Sequence, residues 1–276
     1  MYSESANQND SSFSVEQAIA NLQGDDLGLR VYAAWWLGRF RVSSPEIIRL
    51  LLVALQDDED RTESGGYPLR RNAARALGKL GEPQAVPLLI RALDCSDFYV
   101  REAAAQSLEL LGDSSCIPKL IELLQDQVSQ ATPAPQNQQQ LAQPYDAILE
   151  ALGTLGATEI IPLIRQFIDH PTPRVRFAAA RAMCQLSPNP QSVRHHGDIL
   201  VQGLLSDDLQ LRRAVLADLG AIGYLPAAEA IANTLAENSL KLIALKGLLE
   251  KELCQSALPH VSAEAMKVMV LMDDLL

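Results

Sequence analysis

From residue 27 onward, apolar residues recur at intervals of three and four, the spacing that lines one face of an α-helix. They come in short blocks, and the blocks come in pairs. The first block of each pair has the form Leu/Val-Arg-x-x-Ala-Ala-x-x-Leu-Gly. It reads Leu29-Arg30, Ala33-Ala34, Leu37-Gly38 in one copy and Leu69-Arg70, Ala73-Ala74, Leu77-Gly78 in the next. Further copies open at Val100-Arg101, Val175-Arg176 and Leu211-Arg212, and a sixth, lacking the arginine, ends in Leu152-Gly153-Thr154-Leu155-Gly156. The second block is a plain apolar stripe, such as Ala85 to Asp94 or Ile117 to Leu124.

Gly81, Gly112, Gly156 and Gly223 stand where the first block must stop, a position that favours left-handed backbone. Pro45, Pro87, Pro118, Pro162 and Pro226 stand near the start of the second, where a missing N–H costs nothing. Each pair is therefore a helical hairpin. One hairpin cannot bury its own stripe, whereas stacked neighbours share a core. The expected fold is all-α, a single curved solenoid of about six hairpins over 14–276. The hairpins fall near 27–60, 67–97, 98–127, 144–171, 172–208 and 209–239, with terminal helices over 240–276. A polar tail, 1–13, precedes them and reads as disordered. Residues 57–67, with Asp57 to Asp60 and Gly65-Gly66, and residues 128–143, rich in Pro and Gln, read as exposed loops; the second is either disordered or a lid.

Composition agrees: 48% of 276 residues are apolar but only 5% aromatic, and Ala and Leu, good helix formers, dominate. Lys and Arg number 23 against 34 Asp and Glu, a net charge of −11 that argues against nucleic-acid binding. No apolar run approaches the roughly 20 residues of a membrane span, and the N-terminus has no secretory pattern, so a cytosolic protein is expected. Cys95, Cys116, Cys184 and Cys254 lie far apart and read as buried, reduced thiols. His170, His195, His196 and His260 include no His-Glu pair, so no metal site is expected; His195-His196 falls in the irregular link of the fifth repeat, as surface imidazoles. No phosphate-cradling, dinucleotide or nucleophile-elbow motif is present.

Asp97 precedes Arg101 and Asp208 precedes Arg212, an arrangement that could stack into an Asp/Arg ladder between repeats. Arg71, Arg75, Arg181 and Arg213 take more exposed slots, freer to meet a ligand. Aligned by repeat, the slot of Trp35 holds Arg75, Gln106, Glu150, Arg181 and Ala217, mostly polar and so expected to face solvent; that of Trp36 holds small or polar residues. Two readings of the rings follow: they seal the N-terminal end, or they offer a π-surface to a planar ligand, with Arg39 near to meet a carboxylate. At the other end Met266, Met269, Met272, Leu275 and Leu276 make an apolar segment that either folds back or awaits a partner protein.

The Val-Arg opening, the Ala-Ala pair and the Leu-Gly ending resemble HEAT-like repeats of the phycobilisome-lyase kind. Deoxyhypusine hydroxylase, which carries similar repeats, uses His-Glu motifs for iron, and the chain departs from it there. Tyr32-Ala33-Ala34-Trp35-Trp36-Leu37-Gly38-Arg39 and Leu69 to Gly78 are similar to the E-type subunits of the E/F heterodimeric bilin lyases. That resemblance implies a cyanobacterial cytosolic enzyme, active only with an F-type partner subunit. It implies no permanently bound cofactor, and phycocyanobilin, an open-chain tetrapyrrole with two propionates, as substrate. The bilin's ethylidene carbon would be joined as a thioether to a cysteine of the phycocyanin alpha subunit. Such an addition needs positioning more than acid–base machinery. On this resemblance Arg39, Arg71 and Arg75 are candidates for the propionates, Tyr32, Trp35 and Trp36 for stacking on pyrrole rings, and Asp146 or Glu150 for pyrrole nitrogens. Met266, Met269, Met272, Leu275 and Leu276 are candidates for the F-type interface. A noncatalytic scaffold for phycobiliproteins remains a rival, as does the E subunit of a related lyase that attaches phycoerythrobilin or couples attachment to isomerisation.

Overall fold

The computed structural model describes residues 13–129, 141–255 and 261–276, and among these it is helical throughout, with no strand. Most of the expected 128–143 loop, the tail before Phe13 and His260 lie outside the described residues. In chain order the helices are α1 (Val15–Gln23), α2 (Leu27–Phe40), α3 (Pro45–Ala54), α4 (Pro68–Leu80), α5 (Val86–Ala92), α6 (Phe98–Leu111), α7 (Ile117–Ser129), α8 (Tyr145–Thr154), α9 (Ile161–Ile164), α10 (Pro173–Leu186), α11 (Pro190–Gly203), α12 (Leu209–Ile222), α13 (Ala228–Asn233), α14 (Asn238–Gln255) and α15 (Ala263–Asp273).

Their ends follow from local chemistry. Asp26, Ser44, Asp97, Asn189 and Asp208 cap α2, α3, α6, α11 and α12 by accepting hydrogen bonds from first-turn amides. Gly81, Gly112 and Gly223 close α4, α6 and α12 in the left-handed region, at φ of 73, 69 and 69°. In α2, which lacks such a glycine, Arg41 takes that conformation at φ 53° and donates from Nη1 to the Lys79 carbonyl at 3.1 Å.

Two compact units result, one ending at Cys116 and the other beginning at Ile117. In the first, α2 packs on α4 and α4 on α6, with α1, α3 and α5 against them. The Ala-Ala pairs are fully buried and let these helices approach closely: a Cβ on Gly38 would stand 2.7 Å from the Ala76 Cα. In the second unit α8, α10, α12 and α14 pack in sequence, and α15 closes on α13 and α14.

The expected Asp208/Arg212 rung does not form. Asp208 accepts from the Gln210 and Leu211 amides, and Arg212 turns onto the Ser206 and Leu235 carbonyls. Arg101 and Arg176 likewise reach carbonyls of their own preceding turns, Cys95 and Ser96 for one, His170 and Pro171 for the other. In these three copies the repeat arginine thus ties off loop carbonyls that the helices leave unsatisfied, whereas Arg30 and Arg70 pair with Asp57 and Asp58.

Two further expectations need correction. His195-His196 lies in α11, not in an irregular link, and His196 is buried, its Nδ1 2.7 Å from the Ser192 carbonyl oxygen. All four cysteines are free, but only Cys95 and Cys116 are buried; Cys184 is half-buried and Cys254 exposed. Burial pushes the Cys116 thiol up to about 11 and the Cys184 thiol up to about 12.

Candidate functional site

Three features could carry function, and α2 builds the first. Helical spacing puts Tyr32, Trp35 and Arg39 along one side. Tyr32 and Trp35 are nearly half exposed, with ring centres 5.5 Å apart and planes tilted by 35°. Trp36 faces differently. It sits between Phe13, at 5.2 Å, and Phe40, at 5.1 Å, and Phe13 also meets the edge of Tyr32 at 5.0 Å. A capping box at Ser14 and Gln17 fixes the start of α1 and with it Phe13. The two tryptophans therefore part: Trp36 packs between Phe13 and Phe40, and Trp35 stays open. Arg39 is exposed beside it.

The expected arginines separate as well. Arg75 is paired with Glu102 at 3.2 Å, and Arg213 with Glu237. Arg71 instead lines a cavity of about 520 Å³ with Tyr67, Phe98 and Tyr99. Those three rings were not singled out from sequence, although each lies within three residues ahead of a repeat arginine, Arg70 or Arg101.

The second feature overturns an expectation. Glu150 and Arg181 share the slot of Trp35 and were expected in solvent, yet they are 7% and 8% exposed. They belong to a five-member ionic cluster across α8, α10 and α12. Arg174 donates from Nη1 to Asp218 at 2.6 Å and from Nη2 to Glu150, with its Nε 3.6 Å from Asp146. The Arg181 Nη1 lies 3.1 Å from Glu150 and 3.3 Å from Asp218. Three carboxylates thus face two guanidiniums, one negative charge too many for a buried site. Burial pushes Glu150 up to about 8, against the pull of Arg174 and Arg181 and with repulsion from Asp218 and Asp146. The Arg174 guanidinium is correspondingly held charged by those acids. Asp146 and Glu150 face this cluster, and they lie in a different unit from the Tyr32–Trp35 strip.

The third feature is the C-terminal end. Ala265 and Val268 are buried, and Leu271, Met272 and Leu275 pack on the core of the second unit, while Met266, Met269, Val270 and Leu276 remain exposed. Fold-back and open patch are two faces of one helix. Between α13 and α15 runs a groove of about 640 Å³ with Leu225, Pro226, Met266 and Val270 in its walls. No group of three or more His, Cys, Asp or Glu side chains is arranged to hold a metal among the described residues, and no helix there is long and apolar enough to cross a membrane.

Family models match the chain as HEAT repeats over residues 62–132 and 144–218, and as a PBS lyase HEAT-like repeat over residues 29–57. It is 70% identical over 270 residues to phycocyanobilin lyase subunit alpha of Microchaete diplosiphon, covering 98% of this chain and 92% of that one. It is 66% identical over 267 residues to the same subunit of Pseudanabaena tenuis, covering 97% of each. In the solved complex of CpcE and CpcF of phycocyanin lyase from Nostoc sp. PCC7120, a chain 57% identical superimposes with a TM-score of 0.84 over 100% of both chains. The chain belongs to the phycocyanobilin lyase alpha-subunit family of HEAT-repeat proteins.

Proposed function

We propose that this chain, with an F-type partner, forms a heterodimeric lyase that attaches phycocyanobilin to a cysteine of the phycocyanin alpha subunit in the cytosol of a cyanobacterium. The observation that carries this reading is likeness to phycocyanobilin lyase alpha subunits over almost the full chain, at 70% identity over 98% of it. The thiol sulfur bonds to the bilin's ethylidene carbon and the thiol proton ends on the adjoining ring carbon, so nothing leaves and no resident cofactor is called for. What the reaction requires is register between bilin and acceptor. The tilted pair Tyr32 and Trp35 gives a conjugated ring system a surface to stack on, with Arg39 beside it for a carboxylate. The exposed side of α15, with Met266, Met269 and Val270, is the face this reading gives to the F-type partner.

Reconstitution of this chain with the F-type subunit, phycocyanobilin and apo-phycocyanin alpha subunit, followed by denaturing electrophoresis and zinc-enhanced fluorescence, tests the reading. Covalent fluorescence on the alpha subunit that needs both lyase chains is expected. Label absent with phycocyanobilin but present with phycoerythrobilin would transfer the activity to another bilin. No label with either would leave a scaffold. Trp35→Ala should weaken bilin uptake several-fold while thermal unfolding stays near wild type, since the ring is nearly half in solvent.

A further inference from the structure

Most arginines of the first unit that are not fully in solvent have an evident job. Arg30 pairs with Asp57 at 2.5 Å, Arg70 with Asp58 at 2.7 Å, Arg75 with Glu102, and Arg101 ties off the turn carbonyls. Arg71 is the exception. Its side chain is half-buried and makes no hydrogen bond or ion pair; its Nε lacks an acceptor, as those of Arg30 and Arg70 do, but unlike theirs its terminal nitrogens have no carboxylate. With no acceptor supplied by the chain, the donors of the guanidinium are left to water or to a ligand. Its place deepens the puzzle. Arg71 lies in the first turns of α4, where the helix dipole disfavours a cation. Arg70, one residue earlier, is compensated by Asp58 and by the Tyr67 ring 5.2 Å away, whereas Arg71 is not.

The surroundings are those of a binding site. The 520 Å³ cavity in front of Arg71 is walled by the Phe98 and Tyr99 rings, set edge to face at 5.5 Å, and by Tyr67. Its one acid, Asp97, is already engaged: Oδ1 accepts from the Tyr99 amide at 2.8 Å and Oδ2 from the Tyr67 amide at 2.7 Å. The loop over the cavity is held by a tight turn, the Gly65 amide donating to the Thr62 carbonyl and the Gly66 amide to Thr62 Oγ1, with Gly65 at φ 87°. In a chain of net charge −11, an unpaired guanidinium facing an aromatic-walled cavity is a local reversal of the prevailing field.

We infer that Arg71 and this cavity form a subsite for a carboxylate on a planar conjugated ligand, and, resting on the function proposed above, that the carboxylate is a propionate of the bilin. The site is distinct from the Tyr32–Trp35 strip, and of the three arginines named from sequence it selects Arg71 over Arg75, whose guanidinium already has Glu102.

The test titrates phycocyanobilin and its dimethyl ester against the chain in complex with its F-type partner, read by bilin absorbance, for wild type, Arg71→Gln and Arg71→Lys. Expected are a loss of about tenfold in affinity for the free acid in Arg71→Gln, a smaller loss in Arg71→Lys, a loss at least as large in wild type on esterification, and an effect of esterification in Arg71→Gln about tenfold smaller than in wild type. Thermal unfolding of Arg71→Gln should be at or above wild type, because an uncompensated cation leaves a helix start. If Arg71→Gln binds both forms like wild type, or feels esterification as strongly as wild type does, the inference falls while the lyase reading stands. A change confined to the KM for the apo-acceptor would also overturn it, in favour of a carboxylate on the acceptor protein. A lower unfolding temperature would make Arg71 a structural residue and overturn it as well. A wild-type complex that takes up no bilin at all would overturn both.

Discussion

Charged side chains in the two units are put to opposite uses. In the second unit Arg174 and Arg181 are sunk among Asp146, Glu150 and Asp218, and the five side chains join α8, α10 and α12. In the first unit the equivalent helices α2, α4 and α6 carry Trp35 in the open, Arg75 in a half-exposed pair and Arg71 with no partner. The repeat frame is the same; what differs is how many opposite charges the neighbouring repeats supply. Where several converge, as on Glu150 and Arg181, a polar slot becomes interior and serves cohesion. Where one or none does, as at Arg75 and Trp35, the slot stays at the surface.

The sharpest way to break this contrast is to remove a cation from the buried cluster. Arg174→Ala leaves three carboxylates facing Arg181 alone and should cost about 3–5 kcal/mol in urea unfolding, whereas the same change at Arg71 should cost nothing. A smaller effect isolates the surplus charge. Glu150 is raised to about 8 in the folded chain, above its ordinary value of 4.5, so the folded state holds a proton that the unfolded state has released. Its contribution is full below about 4.5, and stability should fall as pH rises from there through about 8, then level off. Glu150→Gln, which ionises in neither state, should be more stable than wild type at pH 7 by up to about 3 kcal/mol and flatten that part of the profile, as scanning calorimetry at several pH values would show. The smallest effect belongs to a pair in open solvent: Lys246→Ala, which removes the 3.4 Å contact with Glu250 on α14, should shift stability by less than about 0.5 kcal/mol.

Which parts of this were readable beforehand follows from where each signal lies. The hairpins were readable because caps and stops are local: Asp97 before α6 and Gly112 after it are both written within a few residues of the helix they bound. The exposure of Trp35 was readable from the mostly polar residues that fill its slot in other repeats. The burial of Glu150 was not, since its arginines lie 24 and 31 residues on and Asp218 further still, a relation that only stacking of repeats creates. Arg71 and Arg75 looked alike for the same reason. Glu102, which separates them, belongs to the next repeat. The division after Cys116 has no local mark either; it cuts the third hairpin where the repeat pattern runs on unbroken.

The cysteines acquire a meaning once the proposed chemistry is set beside them. A protein that presents an electrophile to another protein's thiol must not consume it first. With pKa values of about 11 and 12, Cys116 and Cys184 carry thiolate at no more than about one part in ten thousand at pH 7. Cys95 is shielded by burial, which leaves Cys254, on α14, as the one exposed thiol among the four cysteines. The fold thereby keeps most of its own nucleophiles out of competition, and selectivity for the acceptor begins with the catalyst's inertness toward its own cargo.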